Sequence, residues 1–307
     1  MEQAKVSIII NCHNGDEFLA ETLESIKRQT YQNYEIVFYD NFSDDNSANI
    51  AKSFGEKLNY YKSSSFLSLG AARNEAIKLC KGEYIAFIDA DDLWDEKKLE
   101  AQVKILDENE EIGMVLTNFR IFNMMSGKIT EPKITKNIEL GFENFVLNYS
   151  YCLSTFVLRQ KCIQELPSLF DERLHYAEEY DLFLRIAYRW NAYSIGIPLA
   201  TRRMHSAMNS IKLAERISLE HQIVLDNMRR YIENFDVRYP SLMKKICYLR
   251  DYMDAKVHFI EYKNKKIRKM MLPYIFRENR AMAYYIIALF PQFISTLIIQ
   301  RIYKNHI

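Results

Sequence analysis

Three aspartates, Asp89, Asp91 and Asp92, directly follow the apolar run Tyr84-Ile85-Ala86-Phe87-Ile88. Carboxylates crowded at a strand end repel one another unless a cation, solvent or a proton intervenes, and hard oxygen ligands suit Mg2+ or Mn2+ carrying a substrate's phosphates. A solvated acidic turn capping the helix that begins near Lys97 explains the same residues without chemistry. A second acidic group, Glu178, Glu179 and Asp181, opens a helical pattern. Neighbours on a helix point in different directions, so at most one of the two glutamates reaches a given reaction centre, there to act as a general base. Acidic residues also favour a helix N-terminus for dipole reasons alone. Asp40 precedes the turn composition Asn41, Ser43, Asp44 and Asp45, and a carboxylate there can accept from a ribose hydroxyl or a base N–H. Arg73 is able to clamp a diphosphate or to pair with Glu75 or Glu83 at the surface. His205, in Arg203-Met204-His205, and more weakly His13, complete the set, as members of a metal shell, phosphate contacts or plain structural histidines.

The elements that must position these groups alternate β-branched apolar runs with amphipathic stretches, the order of a parallel sheet covered by helices. Strands are predicted from Val6 to Ile10, Glu35 to Tyr39, Asn59 to Tyr61 and Tyr84 to Ile88, with further candidates from Met114 to Phe119 and Ser154 to Leu158. Helices are predicted with Phe18, Leu19, Leu23 and Ile26 on one face, near Asn46 to Phe54, from Leu69 to Leu79, and from Tyr176 to Trp190. In doubly wound sheets ligands sit outside the carboxyl ends of the strands. Asn11 and His13 end the first strand, Asp40 the second, and Asp89 with Asp91 the fourth.

The 307 residues carry only 8 Gly and 6 Pro, which argues for regular elements and against disorder. Five cysteines without CxxC spacing, and an opening without a leader pattern, predict reduced thiols in a cytosolic compartment and no structural zinc. Neither G-x-G-x-x-G nor G-x-x-x-x-G-K-[ST] occurs, so dinucleotide and P-loop chemistry lose support. The net charge of +1 hides an asymmetry: 24 basic and 32 acidic residues up to Glu215 give −8, while 17 and 8 beyond it give +9. An acidic first part is poorly suited to nucleic acid, and the basic last part suits an anionic surface such as a cytoplasmic membrane leaflet. The reading is an α/β region over residues 1–215 and a basic helical region over 216–307.

Taken together, these residues resemble the family 2 glycosyltransferases over roughly residues 4 to 210. Val6-Ser7-Ile8-Ile9-Ile10-Asn11-Cys12-His13-Asn14 is similar to the family's V-S-I-I-I-P-T-Y-N, with Asn11 and His13 replacing proline and tyrosine. Asp40-Asn41-Phe42-Ser43-Asp44-Asp45 stands where the family has D-D-G-S-x-D. Gly70-Ala71-Ala72-Arg73-Asn74 and Gly82-Glu83-Tyr84-Ile85-Ala86-Phe87-Ile88-Asp89-Ala90-Asp91-Asp92 match its most specific block. Tyr176-Ala177-Glu178-Glu179-Tyr180-Asp181-Leu182-Phe183-Leu184-Arg185 looks like its E-D-x-D-L-x-x-R region, and Arg203-x-His205, with Ser210 beyond, like its R-x-H region. The resemblance implies a GT-A, Rossmann-like, mostly parallel sheet flanked by helices, with a C-terminal helical extension. It implies an inverting transferase using a nucleotide-sugar, UDP-linked at family level, and a divalent cation, Mn2+ or Mg2+, with a glycan or lipid-linked acceptor of a bacterial surface polysaccharide. By resemblance Asp91 and His205 bind metal, Asn11, His13, Asp40, Arg73 and Asp89 bind donor, and Glu179 is the base, with Asp181 a lesser candidate.

Two other functions fit parts of the pattern. A sugar-phosphate nucleotidyltransferase also places acidic residues on an α/β sheet, but no Gly-rich, Arg-containing loop opens this chain. A non-catalytic carbohydrate- or lipid-binding module would keep the fold without turnover. In the tail, Lys263, Lys265, Lys266, Arg268 and Lys269 cluster, and Ala281 to Ile299 is uncharged and mostly apolar but broken by Pro291. Such a run lies in a membrane interface or packs against protein more readily than it spans a bilayer. The expected placement is cytoplasmic, peripheral on the inner face of the membrane.

Overall fold

Val6 to Ile10 are all buried, so the first strand is covered on both faces, as a parallel strand between helical layers must be. The computed structural model describes residues 4–132, 136–147, 152–205, 216–260, 263–295 and 297–298. The chain divides into two compact units, residues 1–206 and 207–307. The boundary expected at residue 215, and Ser210, lie outside the described residues.

The first unit opens with β1 (Val6–Cys12), α1 (Asp16–Lys27), β2 (Tyr34–Asp40), α2 (Ser47–Lys52), β3 (Leu58–Lys62), α3 (Leu69–Lys78) and β4 (Tyr84–Phe87). It continues with β5 (Leu93–Trp94), α4 (Lys98–Glu108), β6 (Ile112–Asn123), β7 (Lys128–Thr130), β8 (Ile138–Leu140) and α5 (Phe142–Leu147). A 3-10 turn (Leu153–Thr155), β9 (Phe156–Arg159), α6 (Gln160–Gln164), α7 (Glu178–Ala187) and β10 (Asn191–Met204) complete it. The ten strands form one sheet in the order β3-β2-β1-β4-β9-β6-β10-β5, with β7 beside β6 and β8 beside β10. β3, β2, β1 and β4 run parallel, as do β6 and β10, whereas β9 is antiparallel to both β4 and β6. Leu19, Leu23 and Ile26 of α1 enter the core, while Phe18 of the same helix is buried against His205 and Arg203. Gly82 lets the chain enter β4 tight against β1: a Cβ there would stand 2.6 Å from the Ser7 nitrogen and 2.9 Å from the Lys5 carbonyl.

The predicted helices and first four strands are present with shifts of a few residues at their ends. The stretch Ser154 to Leu158 splits into the 3-10 turn and β9. β10, the 14-residue partner of β6, was not legible, because Gly196 and Pro198 interrupt its apolar pattern. The register with β6 shifts at those residues, between Ile195 and Pro198 and again between Pro198 and Ala200.

The second unit contains α8 (Ile217–Tyr231), α9 (Phe235–Arg238), α10 (Pro240–Ile260), α11 (Asn264–Met271) and α12 (Asn279–Ile287). Tyr248, Tyr252, Ala255, Ile267, Met271, Ala281, Tyr284 and Ala288 form its core. Among the described residues no helix is long and apolar enough to cross a membrane. All five cysteines are free.

Candidate active site

The three aspartates of the β4–β5 connection lie with one carboxylate oxygen each within 4.8 Å of one another. Their arrangement is fixed from two sides. The Ser154 hydroxyl donates to Asp92 Oδ2 at 2.6 Å and accepts from the Asp89 N–H at 3.1 Å, pinning both ends of the turn. The Arg203 N–H donates to Asp92 Oδ1 at 3.2 Å. Asp92 is therefore buried with both oxygens engaged, and burial together with the charges of Asp89 and Asp91 holds its carboxyl well above the usual carboxylate range.

Arg203 fastens the same turn to α1. Its guanidinium, 1% exposed, donates to the Asp91 carbonyl, the Phe18 carbonyl (3.2 Å), Thr22 Oγ1 (3.0 Å) and Glu21 Oε2 (2.5 Å), and lies over the Phe18 ring. That set of partners makes Arg203 a structural clamp. His205 Nε2 is 2.9 Å from Asp91 Oδ2, its ring packs against Phe18, and its buried Nδ1 has no partner among the described residues.

The donor set fits a hard divalent cation. Asp91, partly exposed and bonded by its side chain to His205, and Asp89 offer carboxylate oxygens, whereas Asp92 is already committed. Asp89 is held above the usual carboxylate range by burial, against which Arg73 works, with Asp91 adding to the rise. An added cation would relieve the crowding of like charge at this strand end.

Arg73 is not at the surface beside Glu75 or Glu83. Its guanidinium, 3% exposed, donates from Nη1 to Glu178 Oε1 at 2.5 Å and from Nη2 to Asp89 Oδ1 at 3.2 Å. Ser68 caps α3 by accepting from the Ala71 N–H, which sets the helix that carries this arginine. Glu83 instead pairs with Arg159, and Glu75 with Lys78. The β4 end is thus tied to the first turn of α7.

Glu179, the next residue on α7, is half-buried and within electrostatic reach of Glu178, Arg73, Asp89 and Arg202. Burial, then the Glu178 charge, push its carboxyl up to about 8, with Arg73 opposing. A base poised near neutral pH suits proton abstraction. Asp181 is corrected to a structural role: it is fully buried and accepts from Arg185 Nε at 3.0 Å and Nη2 at 2.8 Å. Arg185 in turn holds the carbonyls of Ser168 and Leu169.

Asp40 is likewise out of a ligand's reach. It is fully buried, accepting from the Ser43 N–H at 2.7 Å and the Tyr60 hydroxyl at 2.5 Å, so it supports the loop above β2 from beneath. In that loop the Asn41 amide donates to the Leu67 carbonyl and accepts from the Leu67 N–H, both at 3.0 Å. An aspartate could make only the second bond. Phe42, at a position where the family carries glycine, takes a φ of 64° and is half-exposed. His13 is exposed, donates from Nδ1 to the Asn41 carbonyl at 3.0 Å, and meets Phe66 edge-on at 4.6 Å. Asn11 Nδ2 is buried without a partner among the described residues.

Two contributors escaped the sequence. Glu178 looked like a duplicate of Glu179 yet is the buried partner of Arg73. Arg202 places its charge near Asp92, Glu179 and Asp89. The signal was strand alternation: with Arg203 turned towards α1, its neighbour faces the opposite side of β10.

The sequence model of Glycosyl transferase family 2 matches residues 7–166. The chain belongs to glycosyltransferase family 2. An uncharacterized glycosyltransferase of Rickettsia typhi is 31% identical over 212 residues, 67% of this chain and 65% of that protein, so the chain spans just under two thirds of that relative's length. WfgD of Escherichia coli, a UDP-Glc:alpha-D-GlcNAc-diphosphoundecaprenol beta-1,3-glucosyltransferase, is 28% identical over 277 residues, 87% of this chain and all of that one. The structure of S. aureus TarS 1-349 in complex with UDP-GlcNAc superposes with a TM-score of 0.65 at 17% identity, covering 93% of this chain and 79% of that one. At that identity the likeness is one of fold, and it is the GT-A fold the sequence implied. The matched span takes in nearly all of β1, the Asp40 loop, α3, β4 and the three aspartates.

Proposed function

We propose that this chain is an inverting, metal-dependent sugar transferase that moves a sugar from a nucleoside diphosphate, UDP in the first instance, to a hydroxyl of a glycan or lipid-linked acceptor in bacterial surface polysaccharide synthesis. The observation that carries this reading is the Glu179 carboxyl at the head of α7, within electrostatic reach of Asp89 and Arg73 and next to the Glu178–Arg73–Asp89 bridge that ties α7 to the end of β4. The UDP donor and diphosphate-lipid acceptor of WfgD support the substrate classes.

A divalent cation held by Asp91, with Asp89 and His205, would supply the positive charge that a departing nucleoside diphosphate needs. The chain's own residues do the rest. Glu179 takes the acceptor hydroxyl's proton onto a carboxylate oxygen as that hydroxyl attacks the anomeric carbon. The new carbon–oxygen bond forms on the face opposite the diphosphate, which leaves with the electrons of the bond that breaks. One displacement inverts the anomeric centre. Arg73 balances the charge of Glu178 and Asp89 beside the sugar, and it acts by positioning because its guanidinium is already engaged. His13, backed by Phe66, offers an aromatic edge to the base, and the unpartnered Asn11 amide a donor to the nucleoside. Asp40 acts indirectly by shaping the loop that bears Asn41.

The test is release of UDP from a panel of UDP-sugars given saccharide and lipid-diphosphate acceptors. Turnover by the native chain with loss in Glu179→Gln, while UDP binding persists, is the expected result. Unchanged turnover in that variant would remove Glu179 from its role, and no turnover with any donor would return the chain to the class of non-catalytic modules.

A further inference from the structure

The second unit carries a feature that sugar transfer does not use. Lys263, Lys265, Lys266 and Lys269 line an open cavity of about 540 Å³ together with Asn264 and Gln292. All four lysines are exposed, while Ile267 and Met271 of the same helix turn into the core of the unit. Lys265, Lys266 and Lys269 have no carboxylate partner among the described residues. The cavity rim is a built structure. Asn264 Nδ2 donates to the Phe290 carbonyl at 3.1 Å and to Ser295 Oγ at 3.0 Å, tying the start of α11 to the turn after α12.

That tie places apolar side chains beside the lysines. Phe290 is 46% exposed, Leu289 55% and Phe293 69%, and Phe293 directly follows the cavity residue Gln292. α12 is divided in the same way, with Ala281 and Tyr284 inward and Met282 and Ile286 outward. Aromatic and aliphatic groups standing in water next to unpaired ammonium groups match one environment in particular: a bilayer surface, where the rings enter the headgroup boundary and the lysines meet lipid phosphates. The excess positive charge of the chain beyond Glu215 has the same sign requirement.

We infer that the α11–α12 face, with Lys265, Lys266 and Lys269 flanked by Leu289, Phe290 and Phe293, docks on an anionic phospholipid surface without crossing it. The inference rests on the second unit alone and stands or falls separately from the sugar-transfer reading.

The experiment is co-sedimentation of the full chain with vesicles of phosphatidylcholine, or of phosphatidylcholine with about one-third phosphatidylglycerol, at low and high salt. Binding is expected only to the anionic vesicles and is expected to weaken as salt screens the headgroups. Replacing Lys265, Lys266 and Lys269 by Gln should weaken it about a hundredfold, each lysine near an anionic surface contributing roughly a factor of five. Phe290→Ser with Phe293→Ser should weaken it roughly tenfold or more, and the melting temperature should hold in both variants because these side chains are exposed. Equal binding to neutral and anionic vesicles, or native-like binding by folded variants, would overturn the inference. So would binding to duplex DNA with none to vesicles, which would give the lysines a different polyanion.

Discussion

Arg73 Nη1 lies 2.5 Å from Glu178 Oε1 and its Nη2 lies 3.2 Å from Asp89 Oδ1, so one buried guanidinium joins the head of α7 to the end of β4. This bridge holds the first turn of α7, and with it Glu179, next to the aspartates. Breaking a buried ion pair by deleting one partner leaves the other charges uncompensated. Arg73→Met is therefore expected to cost about 3–5 kcal/mol of stability, read by urea unfolding. Arg73→Lys keeps the charge but loses the fork that spans two carboxylates, and should recover only part of that loss.

The pH dependence of transfer should report Glu179. With its carboxyl pushed up to about 8, the rate should climb as pH rises towards that value and level off above it. The same shift has a stability consequence of defined sign. Between the ordinary glutamate value and about 8 the folded chain keeps a proton that the unfolded chain has released, so this group's stabilising contribution is lost as pH rises through that window. Glu179→Gln should flatten that decline, and thermal melts of both proteins from pH 5 to 9 would show it.

Phe42 sits at φ 64° with its ring half-exposed, a conformation costing a side-chain-bearing residue about 1–2 kcal/mol. Phe42→Gly is expected to stabilise the fold by about 0.5–1 kcal/mol, once the added freedom of glycine in the unfolded chain is deducted. A fall in stability would mean that the ring packs more than its exposure indicates.

Asn41 holds the Leu67 backbone from both sides. Asn41→Asp restores the family's residue but removes the donor to the Leu67 carbonyl, so it should destabilise the chain by about 1 kcal/mol. Urea unfolding of the native chain and the variant would read that loss.

Much of this architecture is legible in the residues themselves. β1, β2 and β4 are mostly apolar, with Asn11, Asp40 and Asp89 at or just beyond their carboxyl ends, the order expected of a buried parallel sheet whose polar groups gather at that edge. Asp89 and Asp91 could be singled out because they follow such a run, Glu179 because it opens a helical pattern, and His205 through the Arg-x-His stretch that resembles the family's. The rest depends on tertiary partners that no local pattern encodes. Asp40 looks as available as Asp91 until Tyr60 on the neighbouring strand commits it, and Asp181 until its helical neighbour Arg185 turns inward with it. β10 hides behind Gly196 and Pro198, and with it hid the opposite facing of Arg202 and Arg203.

The central claim is a cation-dependent nucleotide site built on Asp91. Calorimetric titration of UDP into the purified chain, with Mn2+, with excess EDTA, and with Asp91→Ala, tests it most directly. Binding that requires both the cation and Asp91 is the predicted result; UDP binding of equal strength in EDTA or in Asp91→Ala, or no binding in any condition, would contradict it.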